Sequence, residues 1–290
     1  MSRKLSFLVL FIPWFLLVAA FTVGFLVYNT YVSLTNWHDI FPKYGFVGIA
    51  NYVEMLQTDG FLETLKNVAL LFGLGIPGGL VVALLAAVAL DLLRTRRVVS
   101  ATFRTIAIIP MAIGAVVAAS FWSWMFEYNG GGINGVFQAI GLGSLAANWV
   151  GNPHLVMFMI IMVLVWQYAG FGALVLLGAL QAIPEAHIEA ASLEGTSTGR
   201  LYWHVLIPQI RGHIATLALL LSMYMLKSFD LIWPLTGGGP GWSSTLLPVL
   251  VYRTMFQVHD VAVGAAIATF TVIVVSAIAI PYIRLSYRQV

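Results

Sequence analysis

Six stretches of this chain are long, apolar and almost free of charge, which narrows the possible folds more than any other feature. Leu5 to Trp37, Asn67 to Leu90, Thr105 to Phe126, Leu155 to Pro184 and Val261 to Ile283 contain no Asp, Glu, Lys or Arg, and Ile214 to Leu235 contains only Lys227 and Asp230. About 20 apolar residues in a helix cross ~30 Å of hydrocarbon, so every run is long enough. Lipid offers backbone N–H and C=O groups no partner, so such runs form helices, and the alternating pattern of a barrel strand is missing. With 60% hydrophobic and 9% charged residues, against roughly 25% charged in soluble domains, most of the surface must face lipid. The expected fold is all-α: a polytopic membrane protein of about six transmembrane helices. The spans fall near 7–29, 67–90, 105–126, 155–179, 213–235 and 260–283, within one domain of residues 1–290.

Assigning the loops alternately to the two sides puts Arg3, Lys4, Arg94, Arg96, Arg97, Arg104, Arg200, Arg211, Arg284 and Arg288 together. The other side holds only Lys43, Lys66 and Arg253, with Asp39, Glu54, Asp59, Glu63, Glu127 and Asp260. Basic loops stay inside, so both termini are expected in the cytoplasm of a cell (inner) membrane protein. Arg3 and Lys4 resemble the n-region of a signal peptide, but the apolar run after them far exceeds a 7–15-residue h-region and reads as a retained helix. The chain has no cysteine, which excludes disulfides, thiolate metal sites and cysteine nucleophiles.

Trp37, Tyr52, Tyr128, Trp149 and Trp242 sit near span ends, where amphipathic aromatics belong. Two outer segments, Asn129-Gly-Gly-Gly-Ile-Asn-Gly135 and Gly237-Gly-Gly-Pro-Gly241, are turn-rich and read as tight connections. Gly73, Gly75, Gly78 and Gly79 crowd the second run around Pro77. Gly75 and Gly79 have small-xxx-small spacing for close helix packing, and Pro77 is a candidate kink.

The least membrane-like stretch, about 181–212, carries the clearest motif. Ile183-Pro184 ends the fourth run, and Glu185 to Glu194 reads as a short helix with acids in its first turn. Gly195 stops it as a C′ glycine, a second short helix follows, and Ile207-Pro208 ends that one. By spacing alone this hairpin is either a connector or a surface for another protein to approach. Leu180-Gln-Ala-Ile-Pro-Glu-Ala-His-Ile-Glu-Ala-Ala-Ser-Leu-Glu-Gly195, followed by Ile207-Pro208, resembles the EAA loop of ABC importer permeases. Glu189, Ala190, Ala191, Gly195 and Pro208 match that pattern; Glu194 stands where the sugar-importer branch usually has Asp, and Thr196 where it has Ala.

Ser33-Leu-Thr-Asn-Trp37 with Phe46-Val-Gly-Ile-Ala-Asn-Tyr52, and Phe229-Asp230 through Leu235-Thr-Gly-Gly-Gly-Pro240, continue the resemblance, as do Thr245 and Tyr252 to Phe256. The chain looks like the maltose-permease-type partner that precedes its companion. It ends Arg284-Leu-Ser-Tyr-Arg288, without the companion's glycine-rich tail. The resemblance implies a second homologous permease subunit, two cytoplasmic ABC ATPase subunits and an extracytoplasmic sugar-binding protein as partners. It also implies ATPase coupling through Glu189, Ala190, Ala191, Glu194, Gly195 and Pro208, with the loop as a lever between two bistable assemblies. ATP and Mg would sit on the ATPase, leaving this chain without cofactor, metal, catalytic residue or nucleic-acid partner.

Polar groups inside spans cost roughly 2.5–3.5 kcal/mol each on insertion scales and are functional candidates. Lys227 and Asp230 are three apart and would share a helix face, as a substrate contact, a structural ion pair, or a lysine that snorkels outward. On the fourth run Trp166, Gln167, Tyr168 and Phe171 interrupt aliphatic residues; they suit a sugar ring and its hydroxyls, or plain packing. The resemblance sets Gln167, Tyr168, Phe171, Lys227 and Ser228 at positions that face sugar in the family, and Asp230 adjoins them.

Gly195-Thr-Ser-Thr-Gly199 fits the nucleophile-elbow pattern, but it lies between helices, with no strand before it. No His-Glu-x-x-His and no Walker A loop occurs. A stand-alone secondary transporter or channel is the rival class; it would favour an internal repeat, and the two three-helix halves show none that is convincing.

Overall fold

The computed structural model describes residues 3–287. The side chains of residues 3–10, 97, 278–279 and 281–287 are outside that description, as is Arg288 altogether, so the basic residues among these are assigned from sequence only. The chain is helical, and the only strand-like pairing among the described residues is a single bridge between Thr35 and Phe46. In order the helices are α1 (Arg3–Val32), α2 (Ala50–Gln57), α3 (Phe61–Leu92), α4 (Arg97–Ala112), α5 (Ala115–Met125) and α6 (Gly132–Ala139). There follow α7 (Val156–Gln181), α8 (Glu185–Leu193), α9 (Thr198–Gln209), α10 (Arg211–Leu226), α11 (Phe229–Thr236), α12 (Leu247–Tyr252) and α13 (Val261–Tyr287).

Among the described residues, Phe11–Val32, Phe61–Leu92 and Val156–Gln181 are each long and apolar enough to cross a bilayer unbroken. Two of the expected spans are each made of two helices. The 105–126 run is the pair α4 and α5, bent by 95° where Ile113 and Gly114 turn extended. Pro110, one turn upstream, has no N–H to offer and leaves the end of α4 weakly bonded. The 213–235 run is α10 and α11, which part at Lys227 and Ser228. No glycine or proline stands at this second break; the Ser228 hydroxyl donates to the Met225 carbonyl at 2.6 Å, satisfying an acceptor at the end of α10.

Pro77 does not break α3. A wider π-turn over Leu71–Gly75 precedes it and absorbs the lost hydrogen bond and the bulk of the ring.

The chain divides into two compact units. In the first, residues 1–62 and 250–274, the Asn29 amide donates to the Ala265 carbonyl and to Thr269 Oγ1, bonding α1 to α13. In the second, residues 63–249 and 275–290, α3 and α7 lie side by side with α10. Gly75 and Gly79 take Met225, Leu221, Ile161 and Val165 against their bare backbone, as small-xxx-small spacing requires. Gly170 of α7 meets the Ala107 carbonyl of α4 so closely that no side chain fits between them.

The two glycine-rich loops are fastened by buried asparagines. Asn134 Nδ2 donates to the carbonyls of Tyr128 (3.2 Å) and Ala147 (3.0 Å), while its Oδ1 accepts from Trp149 Nε1 at 2.8 Å. Asn67 Nδ2 donates to the carbonyls of Trp242 (2.9 Å) and Thr245 (3.0 Å). Buried amides with both donors satisfied fix loop geometry that a solvated turn would leave free.

Candidate functional site

The hairpin between α7 and α10 is built by local rules. Pro184 is extended and stands immediately before α8, whose first turn carries Glu185. At the other end Gly195 adopts φ +70°. Its N–H donates to the Ser192 carbonyl (3.0 Å) and the Thr196 N–H to the Ala191 carbonyl (3.2 Å), the two bonds of a Schellman cap. Glu189, Ala190, Glu194, Gly195 and Pro208 are exposed, whereas Ala191 is buried. Leu193 is 90% exposed and Trp203 63%, so the hairpin presents bare apolar side chains beside its acids. The Gly195–Gly199 segment joins the two helices, with Ser197 at the N-terminus of α9.

One buried hydrogen bond ties the hairpin to the membrane core. Tyr202 of α9 donates its hydroxyl to Asp91 Oδ2 of α3 at 2.6 Å, and both side chains are buried. Tyr202 belongs to one buried cluster with Ala87, Leu90, Leu177, Leu180, Leu206 and Ile210, in which α3, α7 and α9 meet. Burial, and then the bond to Asp91, push the Tyr202 hydroxyl well above the usual tyrosine value. Sequence reasoning passed over both residues. The available signal was Asp91 itself, a lone acid between an apolar run and a cluster of arginines.

Two of the expected substrate residues share one aromatic partner. Tyr168 of α7 stacks on Tyr224 of α10 with ring centres 5.1 Å apart, and Phe171 meets the same ring edge-on at 6.2 Å. Tyr224 was missed because a tyrosine in an apolar run carries no mark of its partner. Asp230 stands in the first turn of α11, and Lys227 closes α10. Lys227 and Asp230 are both exposed. Of the alternatives expected for them, the structural ion pair is not formed among the described residues. Ser228 is buried and its proton is committed to Met225. Gln167 is buried at 3% exposure, and its Oε1 accepts no hydrogen bond. Trp166 instead joins an aromatic cluster with Phe121 and Trp122 of α5.

Residues 75–289 match the family described as the binding-protein-dependent transport system inner membrane component. The chain belongs to that family. It is a multi-pass membrane permease of the ABC importer class. A probable ABC transporter permease of Pyrococcus horikoshii is 36% identical over 288 residues, covering 99% of this chain and 98% of that one. The xylose/arabinose import permease XacH of Haloferax volcanii is 30% identical over 95% of this chain and 86% of its own. The fold matches a chain in the crystal structure of a bacterial ABC transporter that imports alginate, with a TM-score of 0.82 at 22% identity, covering 98% and 95% of the two chains.

Proposed function

We propose that this permease carries a sugar or oligosaccharide and forms half of a translocation pathway with a second homologous permease. The observation that carries the sugar reading is the aromatic group Tyr168, Phe171 and Tyr224, with the exposed Lys227 three residues after Tyr224 at the end of α10 and the exposed Asp230 in the first turn of α11. Flat aromatic faces suit the C–H face of a pyranose, and charged groups at a helix break suit its hydroxyls. The import of xylose and arabinose, and of trehalose and maltose, by named relatives supports it. Gln167, whose acceptor is unused, is the amide candidate for the same ligand. The test is substrate-stimulated ATP hydrolysis by the whole importer over a sugar panel. One sugar should stimulate, and Phe171→Ala should lower its uptake by roughly ten-fold while basal turnover stays near wild type. Equal loss of both rates would remove Phe171 from the pathway.

The hairpin fits the role of the lever that two cytoplasmic ATPase subunits grip, with Leu193 and Glu189 as its contact surface and Gly195 and Pro208 setting its shape. ATP and Mg belong to those subunits, and an extracytoplasmic binding protein delivers the sugar. Both termini and the hairpin then lie in the cytoplasm. A reporter active only inside should work after Val290, beyond the described residues, and one active only outside should work at Gly239. The opposite result at both positions would invert the topology.

A further inference from the structure

Away from the hairpin and the aromatic group, three titratable side chains of the first unit converge without a strong cation among them. His38, Glu54 and Asp260 each bring one potential ligand atom, and these atoms lie within 4.8 Å of one another. His38 Nδ1 is 3.0 and 3.1 Å from the two Asp260 carboxylate oxygens. Among the described residues no Lys or Arg pairs with Glu54 or Asp260, so two carboxylates and one imidazole converge with donor atoms to offer a cation.

The three residues come from segments already fixed in place. Asp260 precedes α13 and its Oδ1 accepts the Val263 N–H at 3.0 Å, so its carboxylate is oriented before any ligand arrives. The neighbouring His259 holds φ +65°, an uncommon conformation for a residue with a side chain, and it shapes the turn that presents Asp260. His38 is carried by a loop whose Trp37 carbonyl accepts the Ala262 N–H at 2.8 Å. Glu54 rides on α2, which the buried Asn51 pins by donating to the Ser33 and Thr35 carbonyls at 2.8 Å each.

We propose that His38, Glu54 and Asp260 form a binding site for a divalent transition-metal cation of the zinc type. One imidazole and two carboxylates make a mixed N,O set that favours zinc over magnesium or calcium, which take oxygen alone. Zinc bonds of 2.0–2.1 Å imply ligand atoms about 3.3 Å apart in a tetrahedron. The His38–Asp260 spacing is already near that value, and Glu54 closes the third side by a rotamer change at an exposed position. Water takes the fourth place. A bound ion would fasten the first loop and α2 to the start of α13.

The test uses the full chain in lipid nanodiscs, purified without a polyhistidine tag and stripped with chelator. Zn2+ alone is added, and binding is read by equilibrium dialysis and by the thermal unfolding midpoint. Wild type should bind one Zn2+ and unfold at a higher temperature with it. Asp260→Asn keeps the bond to Val263, since an amide oxygen accepts as well, yet it should weaken binding roughly ten-fold or more, as should His38→Gln and Glu54→Gln. Mg2+ should not substitute. No stoichiometric binding, or equal binding by all three variants, would overturn the site and leave His38 as a simple charge partner of Asp260.

Discussion

Replacing Gly195 by valine should reduce uptake roughly ten-fold or more while leaving membrane insertion intact. The reasoning starts from φ +70° at this position, where a Cβ would find open space with no atom within 4 Å. The cost is therefore backbone strain rather than a clash. An L-residue with a side chain loses about 1–2 kcal/mol in the left-handed region, and a β-branched one more. The hairpin can relieve that strain only by opening the Schellman cap, which releases the Ala191 and Ser192 carbonyls and swings α8 away from α9. Because 1.4 kcal/mol is a factor of ten in an equilibrium, strain of this size is enough to empty the docking-competent state. Gly195→Asn is the control, since asparagine enters this conformation at little cost and should transport nearly as wild type. Normal uptake and normal ATPase stimulation in the valine variant would refute a lever whose shape depends on this turn.

How far the sequence announces this structure depends on how local each rule is. The hairpin was legible because Pro184, Gly195 and Pro208 act within a few residues of themselves, and the Schellman cap fell where its glycine pointed. The long runs were legible as helices because lipid leaves the backbone no alternative. Their breaks were not. Lys227 and Ser228 are ordinary helix residues, so local propensity carries no mark of the break there. That break stands between Lys227 and Asp230, which a three-residue spacing in one unbroken helix would put on a shared face. Tyr224 and the Asp91–Tyr202 bond were invisible for another reason: their partners are remote in sequence, 111 residues apart in the second case.

That bond should prove as important to coupling as the turn at Gly195. Tyr202→Phe keeps a ring in the buried cluster with Leu90, Leu177 and Leu206 but deletes the hydroxyl that donates to Asp91. A buried polar group deprived of its partner costs roughly 1–3 kcal/mol, more when charged. The variant should lower the unfolding temperature and reduce uptake per ATP several-fold. The folded-state value of the Tyr202 hydroxyl lies above that of an unfolded tyrosine, about 10. The contribution is thus complete below that pH and fades only as pH rises through the higher folded value. This residue therefore adds no pH dependence to transport between about 6 and 9. The discriminating experiment is the double variant Asp91→Leu with Tyr202→Phe. An apolar pair of similar shape removes the stranded carboxylate and should recover most of the lost stability. It supplies no directional bond, so α9 can slip against α3. If the hydrogen bond sets the register through which hairpin movement reaches α3, stability returns in the double variant while uptake per ATP stays low. Recovery of both together would reduce the bond to a stabilising contact.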